Sequence, residues 1–519
     1  MNQYHKLTLF LCGIWAATLI YGEMLAFWLP SLLTCSWPLS NYTPDAVDVS
    51  THHVNVAVIA DPQLMDRTSF GPQSNRFALE FAKFYSDLYI RRAYFGSVLP
   101  FKPDAIIFLG DYFDGGPYLT DEEWQESLSR FKHIFGIDNL KRHVDKIFLI
   151  SGNHDVGYSD VNNRSPKVVQ RYESIFGERN FRFSIGNVEF VAVDAQTLDG
   201  NHKGKMTLLS WEFIKNVSSA DPRLHTRVLL THIPLYRPDN RSCGIHRSSP
   251  IINQRLSRST ISQEIVYQNY ISDASSRQLL DLLKPAVVLS GHDHDQCTVI
   301  HKSKFGTVTE HTLGTVSWQQ GNLYPSFMLL SITSNGLPRG STSEFVLTNL
   351  CFLPMQTHIY IWYIALFSLT ILTLLLWPAR GLRIGISFGE LASSIRSYGS
   401  IGSEKKNEDE DCEYEMMWDA EGSVHLVRKP LAPSPPPHGR PEERGGAVLR
   451  AAAKRGAAGD VEKDFAVAGG RQRPPHPAKK SAMRALKRRV GRTLRMLAVI
   501  AAVNTPLYVM LLFKDWIDR

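Results

Sequence analysis

Hydrophobic positions along the chain fall into two kinds of segment: long runs without charge, and short runs that stop at a polar cluster. Leu7 to Gly22 carries no charge and is mostly apolar, and after Glu23 the apolar character resumes through Leu25, Phe27, Trp28, Leu32 and Leu33. Lys6 precedes the run, as it would in a signal peptide, but the run is long for that purpose and no small-x-small cleavage site follows. Residues 7–33 are therefore read as a membrane anchor behind a short cytosolic N-terminus, residues 1–6. A second uncharged gap lies between Glu344 and Arg380, and within it residues 359–377 are almost wholly apolar and long enough to cross a bilayer. Arg380, Arg383 and Arg396 follow this span, whereas Gly340 to His358 holds no Lys or Arg. The bias places the C-terminal side in the cytosol and residues 34–354 in a lumen or outside the cell. A third run, Met496 to Phe513, is eighteen residues without a charge, preceded by Lys487, Arg488, Arg489, Arg492 and Arg495. It fits either a third span or a membrane-surface helix with basic anchors.

Between the first two spans the pattern changes. Val54–Ala60, Ala105–Leu109, Lys146–Ile150, Arg227–Leu230 and Ala286–Leu289 are short runs rich in β-branched and apolar residues. Continuous runs of this length predict strands buried on both faces. Helical periodicity falls between several of them, over Phe77–Phe95, Glu122–Phe135 and Ser275–Leu283. Strand alternating with helix predicts βαβ units, so the segment is an α/β domain large enough for one substantial core.

Composition changes this picture little. The 519 residues at 58.6 kDa are 44% hydrophobic and 21% charged, neither disordered nor fibrous as a whole. The net charge of +7 is uneven, with six basic residues among the twelve from Arg484 to Arg495, so nucleic acid is not an expected partner. Six widely spaced Cys form no CxxC pair, which excludes a zinc ribbon, a thioredoxin-like motif and a small disulfide-stapled fold. Sequons at Asn41, Asn163, Asn216 and Asn240 all lie between the first two spans. Residues 380–495, with an acidic run at Glu404–Glu415 and a Pro-, Gly-, Ala- and Arg-rich stretch, are expected to form a disordered cytosolic tail.

The chemistry lies where the predicted strands stop, since ligands in such sheets bind beyond the strands' carboxyl ends. The clusters read Asp61-Pro62-Gln63, Gly110-Asp111-Tyr112-Phe113-Asp114, Gly152-Asn153-His154-Asp155, Thr231-His232 and Gly291-His292-Asp293-His294. A single Asp after a strand is usually a turn or cap residue. Five such clusters in order, each at a strand end, are not explained that way.

This ordered set resembles the calcineurin-like metallophosphoesterase superfamily, over roughly residues 54 to 335. The resemblance implies an α/β/β/α sandwich with a dinuclear metal centre at one edge. Asp111 would bridge the two cations, which a carboxylate can do and a neutral imidazole cannot. Asp61 and His294 would complete the first metal, with Gln63 a further candidate; Asn153, His232 and His292 would complete the second. His154 would face the leaving oxygen as general acid, oriented by Asp114. Oxygen and imidazole donors without thiolate favour Mn²⁺, Fe or Zn²⁺ over copper. Gln63 departs from the family pattern, which usually has His there.

Within the superfamily, the chain is similar to a membrane-anchored group that remodels GPI anchors. That likeness implies a manganese-dependent phosphodiesterase that removes an ethanolamine-phosphate branch from a mannose of the GPI glycan. It also implies action in the early secretory pathway (ER exit sites, the ER–Golgi intermediate compartment and the cis-Golgi). GPI-anchored proteins would be the substrates and p24-type cargo receptors partners. Two alternatives stay open: a luminal metallophosphatase for another phosphoester, and a non-enzymatic cargo adaptor. Arg237, Arg241, His246 and Arg247 follow the fourth cluster and are candidates for contacting a glycan.

Overall fold

The computed structural model describes residues 3–41, 53–71, 75–137, 146–219, 226–333, 346–377, 413–418, 424–429 and 478–517. Its strands are β1 (His53–Ile59), β2 (Ala105–Phe108), β3 (Lys146–Leu149), β4 (Phe181–Ile185), β5 (Val188–Val193), β6 (Thr226–Thr231), β7 (Leu256–Arg258), β8 (Ile265–Gln268), β9 (Val287–Ser290), β10 (Cys297–Ser303), β11 (Gly306–Thr312), β12 (Ser326–Thr333) and β13 (Val346–Phe352). The longer helices are α1 (Gln3–Ile20), α2 (Arg76–Ala93), α3 (Asp121–Phe135), α4 (Pro166–Phe176), α5 (Lys205–Ser219), α6 (Asp273–Leu283), α7 (Gln356–Leu376) and α8 (Ala478–Lys514).

Two sheets result. One has the order β13-β12-β1-β2-β3, the other β10-β11-β9-β6-β5-β4. The parallel pairs are β1/β2 and β2/β3 in the first, and β5/β6, β6/β9 and β9/β11 in the second. Side chains alternate across each strand, and this alternation builds three apolar layers. Val56 and Val58 of β1 and Ile107 of β2 meet Phe190, Val228 and Leu289 of the second sheet in a core between the sheets. Ala57, Ile59 and Phe108 face the other way, onto Tyr89 of α2 and Phe131 and Phe135 of α3. Val191, Leu229 and Val288 turn outward onto Ile214 of α5 and Leu279 and Leu283 of α6. The architecture is the four-layer α/β/β/α sandwich that the family resemblance implied.

The helices owe their ends to local sequence. Thr120 caps α3 in a box with Glu123, and Gly136 closes it at φ 59°, a left-handed conformation that suits Gly. Asn75 caps α2 through Phe77 N–H, and Ser272 caps α6 through Ser275 N–H.

The apolar helices differ in part from expectation. α1 continues through further helical turns, so one helix runs from Gln3 to Thr34, 32 residues or about 48 Å at 1.5 Å per residue. That exceeds a bilayer's hydrocarbon thickness of about 30 Å. The excess is built into the sandwich: Phe27 joins the core beneath β1, and buried Glu23 pairs with Arg92 of α2 and accepts a hydrogen bond from Tyr363 of α7. α8 begins at Ala478, not at 496, because the basic stretch before Met496 is itself good helix-forming sequence. The expected tail, 380–495, lies mostly outside the described residues, but it is not wholly without structure. Glu413–Trp418 and Val424–Lys429 pair as an antiparallel hairpin. Both segments contain β-favouring Val, Tyr or Trp and stand apart from the Pro-rich stretch that motivated the expectation.

Two disulfides, Cys35–Cys351 and Cys243–Cys297, lie in the segment between α1 and α7. The first ties the end of the N-terminal apolar helix to β13, four residues before α7 begins. Pairs separated by 316 and 54 residues leave no sequence signature.

Candidate metal centre

Because β1, β2 and β3 run parallel, their carboxyl ends lie on one edge of the first sheet. β6 and β9 end on the same side of the second. The loops after these five strands carry the five sequence clusters to a single place. The backbone there is strained: Asp61, Gln63, Asp111, His292 and His294 all adopt positive φ, between 42° and 70°. Non-glycine residues accept that conformation only where the surroundings enforce it, and such strain gathers at functional sites. Two glycines allow the close approach. A Cβ on Gly152 would lie 2.0 Å from Asp111 Oδ1, and one on Gly110 would lie 2.7 Å from His232 Nδ1.

Asp111, His232 and His292 present donor atoms that all lie within 4.8 Å of one another. His232 Nδ1 faces the Leu109 carbonyl oxygen at 2.7 Å, which can only accept, so that nitrogen carries a proton. Nε2 then points at Asp111 Oδ2, 3.1 Å away, and at Asn153 Oδ1, 3.0 Å away. His292 places Nε2 3.1 Å from the Gln268 carbonyl oxygen, leaving Nδ1 as its ligand atom. Carbonyl partners of this kind orient metal-binding imidazoles. Asp61 is fully buried and accepts the His292 backbone N–H with both oxygens, at 3.0 and 3.2 Å. Its backbone carbonyl accepts the Thr315 hydroxyl at 2.5 Å, and Thr315 N–H donates to the His294 carbonyl oxygen at 3.1 Å. Thr315 thereby fixes two candidate ligands of the first metal to each other.

The electrostatics suit cations. Burial, reinforced by neighbouring imidazoles, pushes His292 down to about 3 and His294 to about 4, so both stay in the neutral form that ligation requires. Burial opposes ionisation of Asp111, yet His232 and His154 outweigh it and hold the carboxyl well below the usual range. Burial likewise opposes charge on His232, but Asp111 and Asp61 push it up to about 9. Without a cation, then, a buried imidazolium answers the carboxylates. A divalent ion would replace its Nε2 proton and join three acceptor atoms that already converge. The donor set fits such an ion, and one buried oxygen supports this: Gln63 Oε1 has no hydrogen-bond donor.

His154 stands beside this cluster, about one-third exposed. Its backbone N–H donates to Asp111 Oδ1 at 2.8 Å. Its ring Nδ1 bonds the Asp114 carbonyl oxygen and lies 3.6 Å from the Asp114 carboxylate. Burial works against the imidazolium, but Asp111 and Asp114 outweigh it and raise its pKa. Asp114 is itself held by Ser69, whose hydroxyl donates at 2.5 Å. The Gln63 amide nitrogen is 3.0 Å from Asp114 Oδ1 and 3.2 Å from His154 Nε2, which leaves Oε1 as the atom free for a metal.

Residues 54–296 match the calcineurin-like phosphoesterase family. The chain carries a calcineurin-like phosphoesterase domain. Metallophosphoesterase 1 of Danio rerio is 27% identical over 378 residues, 69% of this chain and 88% of that one. Metallophosphoesterase 1 of Pongo abelii is 28% identical over 398 residues, 72% and 90%. Cell division control protein 1 of Saccharomyces cerevisiae is 29% identical over 365 residues, 67% and 70%. The phosphoesterase domain is a metal-dependent phosphoester hydrolase, of a family that uses a dimetal site.

Three features of the phosphoesterase domain escaped the sequence reading. Asp155, quoted within its motif but given no role, accepts the backbone N–H groups of Asp111, Tyr112 and Gly152 at 2.8–2.9 Å, and so pins the Asp111 loop to the Asn153 loop. Ser69 and Thr315 sit in loops with no distinguishing pattern. Two glycan candidates are otherwise engaged. Arg237 and Arg247 are directed at Asp293, at 3.0 and 2.7 Å, where they brace the residue between His292 and His294. Arg241 and His246 are exposed.

The free Oε1 of Gln63 leads to a prediction. An amide oxygen is a weaker donor than imidazole, so the first metal is expected to leave first on graded chelation, with Mn²⁺ restoring activity. Gln63→His should tighten that metal and move preference towards Zn²⁺ or Fe. Metal titrations of the two proteins side by side check this; identical affinity and preference would show that Gln63 only positions Asp114 and His154.

Proposed function

We propose that the protein is a luminal phosphodiesterase of the early secretory pathway that removes an ethanolamine-phosphate branch from a mannose of the GPI glycan. The observation that carries this reading is the position of the phosphoesterase domain between two apolar helices long enough to span a membrane, Gln3–Thr34 and Gln356–Leu376. A centre so placed works at a membrane surface, and GPI glycans are exposed on the luminal one. The relatives named metallophosphoesterase 1 support the assignment. Both disulfides lie between the two helices, and such bonds persist in oxidising compartments. The sequons at Asn163, Asn216 and Asn240 are exposed.

Asp111 would bridge two divalent ions, Mn²⁺ in this proposal. Asp61, His294 and Gln63 would complete one; Asn153, His232 and His292 the other. Bound there, the ions supply an activated water and neutralise charge on the phosphoryl oxygens. The chain's own groups do the rest. Asp155 and the Gly152 turn hold Asp111 and Asn153 in place, and His154 would give a proton to the departing oxygen while Asp114 fixes its ring.

Mass spectrometry of GPI glycans from cells lacking the protein tests the substrate: the ethanolamine-phosphate branch should accumulate, and unchanged glycans would refute the reading. Topology has its own check. Endoglycosidase should increase gel mobility, and Asn→Gln at Asn41, Asn163, Asn216 and Asn240 together should abolish that shift. A protease-accessible domain in sealed microsomes would sink the luminal orientation.

A further inference from the structure

A cavity of about 770 Å³ opens beside Asp114, lined by Trp318, Gln319, Phe81 and Tyr85 of the phosphoesterase domain, Tyr360 and Tyr363 of α7, and Tyr508 of α8. Its volume lies within the range of sites that enclose small organic ligands, about 300–1,000 Å³. Its chemistry is specific. Aromatic rings dominate, and Trp318 meets Tyr360 edge-on with centroids 5.7 Å apart. Trp318 Nε1 and Gln319 Nε2 are buried donors without an acceptor, although a buried polar group ordinarily finds one. Flat apolar faces beside unsatisfied N–H donors suit a sugar, which has apolar C–H faces and a rim of hydroxyl acceptors.

α8 and the residues just after it are held at this cavity by contacts to α2 and α3. Tyr508 donates to the Tyr85 hydroxyl at 3.3 Å, and buried Arg92 donates to the Leu511 carbonyl oxygen at 2.8 Å and pairs with Asp515 at 3.3 Å. Trp516 packs on Phe84 and His133, with centroids 5.4 and 4.8 Å apart. The C-terminal apolar helix is thus a wall of the cavity rather than a detached anchor.

Asp114 sets the direction of the substrate. It both lines the cavity and fixes His154, the proton donor to the departing oxygen. The half of the diester that departs therefore occupies the cavity, which helices α7 and α8 also line. We propose that this cavity binds the lipid-tethered sugar of the substrate as the leaving group, with Trp318, Tyr360 and Tyr508 as its principal contacts. The inference rests on the phosphodiesterase reading above. Water supplies hydroxide to phosphorus, the bond between phosphorus and the sugar oxygen breaks, and its electron pair stays on that oxygen. The oxygen takes a proton from His154, and the second proton of the water restores the histidine. The products are a phosphomonoester, released to solvent, and a sugar hydroxyl that remains on the membrane.

The test uses the full chain in lipid nanodiscs with a small chromogenic diester, bis(4-nitrophenyl) phosphate, and octyl mannoside as the probe, with octyl glucoside as a control for detergent effects. Octyl mannoside should inhibit hydrolysis competitively. Trp318→Ala and Tyr508→Ala should each weaken that inhibition at least tenfold relative to the variant's own KM for the diester. Tyr508→Phe, which loses only the hydroxyl, should weaken it less and guards against misfolding. No inhibition of the wild type, or inhibition unchanged in the variants, would overturn the cavity assignment. If inhibition behaves as expected but purified GPI glycolipid is not hydrolysed, the GPI reading fails while the sugar site stands. Hydrolysis of the glycolipid should release ethanolamine phosphate and leave a free sugar hydroxyl; release of ethanolamine with the phosphate retained on the sugar would overturn the proposed direction of departure.

Discussion

Asp111→Asn should abolish hydrolysis, by at least about a thousandfold, because in the proposed centre one carboxylate charge would serve both metal positions. The substitution keeps the shape. Asn retains an oxygen for the His154 backbone N–H that Asp111 Oδ1 accepts at 2.8 Å. The loss falls on Oδ2, which is buried and faces His232 Nε2 at 3.1 Å. An amide there leaves two cations without a shared anion, and their repulsion should expel at least one. Metal analysis should show reduced content. Wild-type activity in Asp111→Asn would refute the assignment of the bridge.

His154→Ala should behave differently. The ring is about one-third exposed and bonds Asp114 and Gln63, whereas the link to Asp111 comes from the backbone N–H, which Ala keeps. Metal content should therefore stay at the wild-type level while kcat falls by roughly 10²–10⁴, the range for losing a general acid. The loss should shrink on a diester with a good leaving group such as 4-nitrophenolate, which needs no proton. Loss of metal in His154→Ala would show that the side chain holds an ion; an equal loss on good and poor leaving groups would argue against proton donation.

Asp114 and Gln63 mark how far the reading of the site could go. Asp114 was legible as the residue that orients His154 only through the family resemblance, which implies that role for the second Asp of Gly110-Asp111-Tyr112-Phe113-Asp114. The two-sided use of Gln63, nitrogen to Asp114 and His154 and oxygen left over, depends on one side-chain rotamer and has no trace in the chain. Arg237 and Arg247 show the opposite error. In sequence they are candidates for contacting a glycan; in the fold both pair with Asp293, because buried charges must be paired.

The sequence by itself determined the features that depend on neighbours in the chain. An apolar run has a length, and length against bilayer thickness makes a span. A β-branched run stopping at Gly-Asp or Gly-Asn-His makes a buried strand whose end carries a ligand. Tertiary structure alone decided which of those ends meet. Asp111 and His232 are 121 positions apart, in different sheets, and share a site because the parallel strands of both sheets end at one edge. The same holds for Cys35 with Cys351, and for Tyr85 with Tyr508, which lie 423 positions apart along the chain but meet at one cavity. Such pairings arise from packing of whole layers, and no local propensity encodes them.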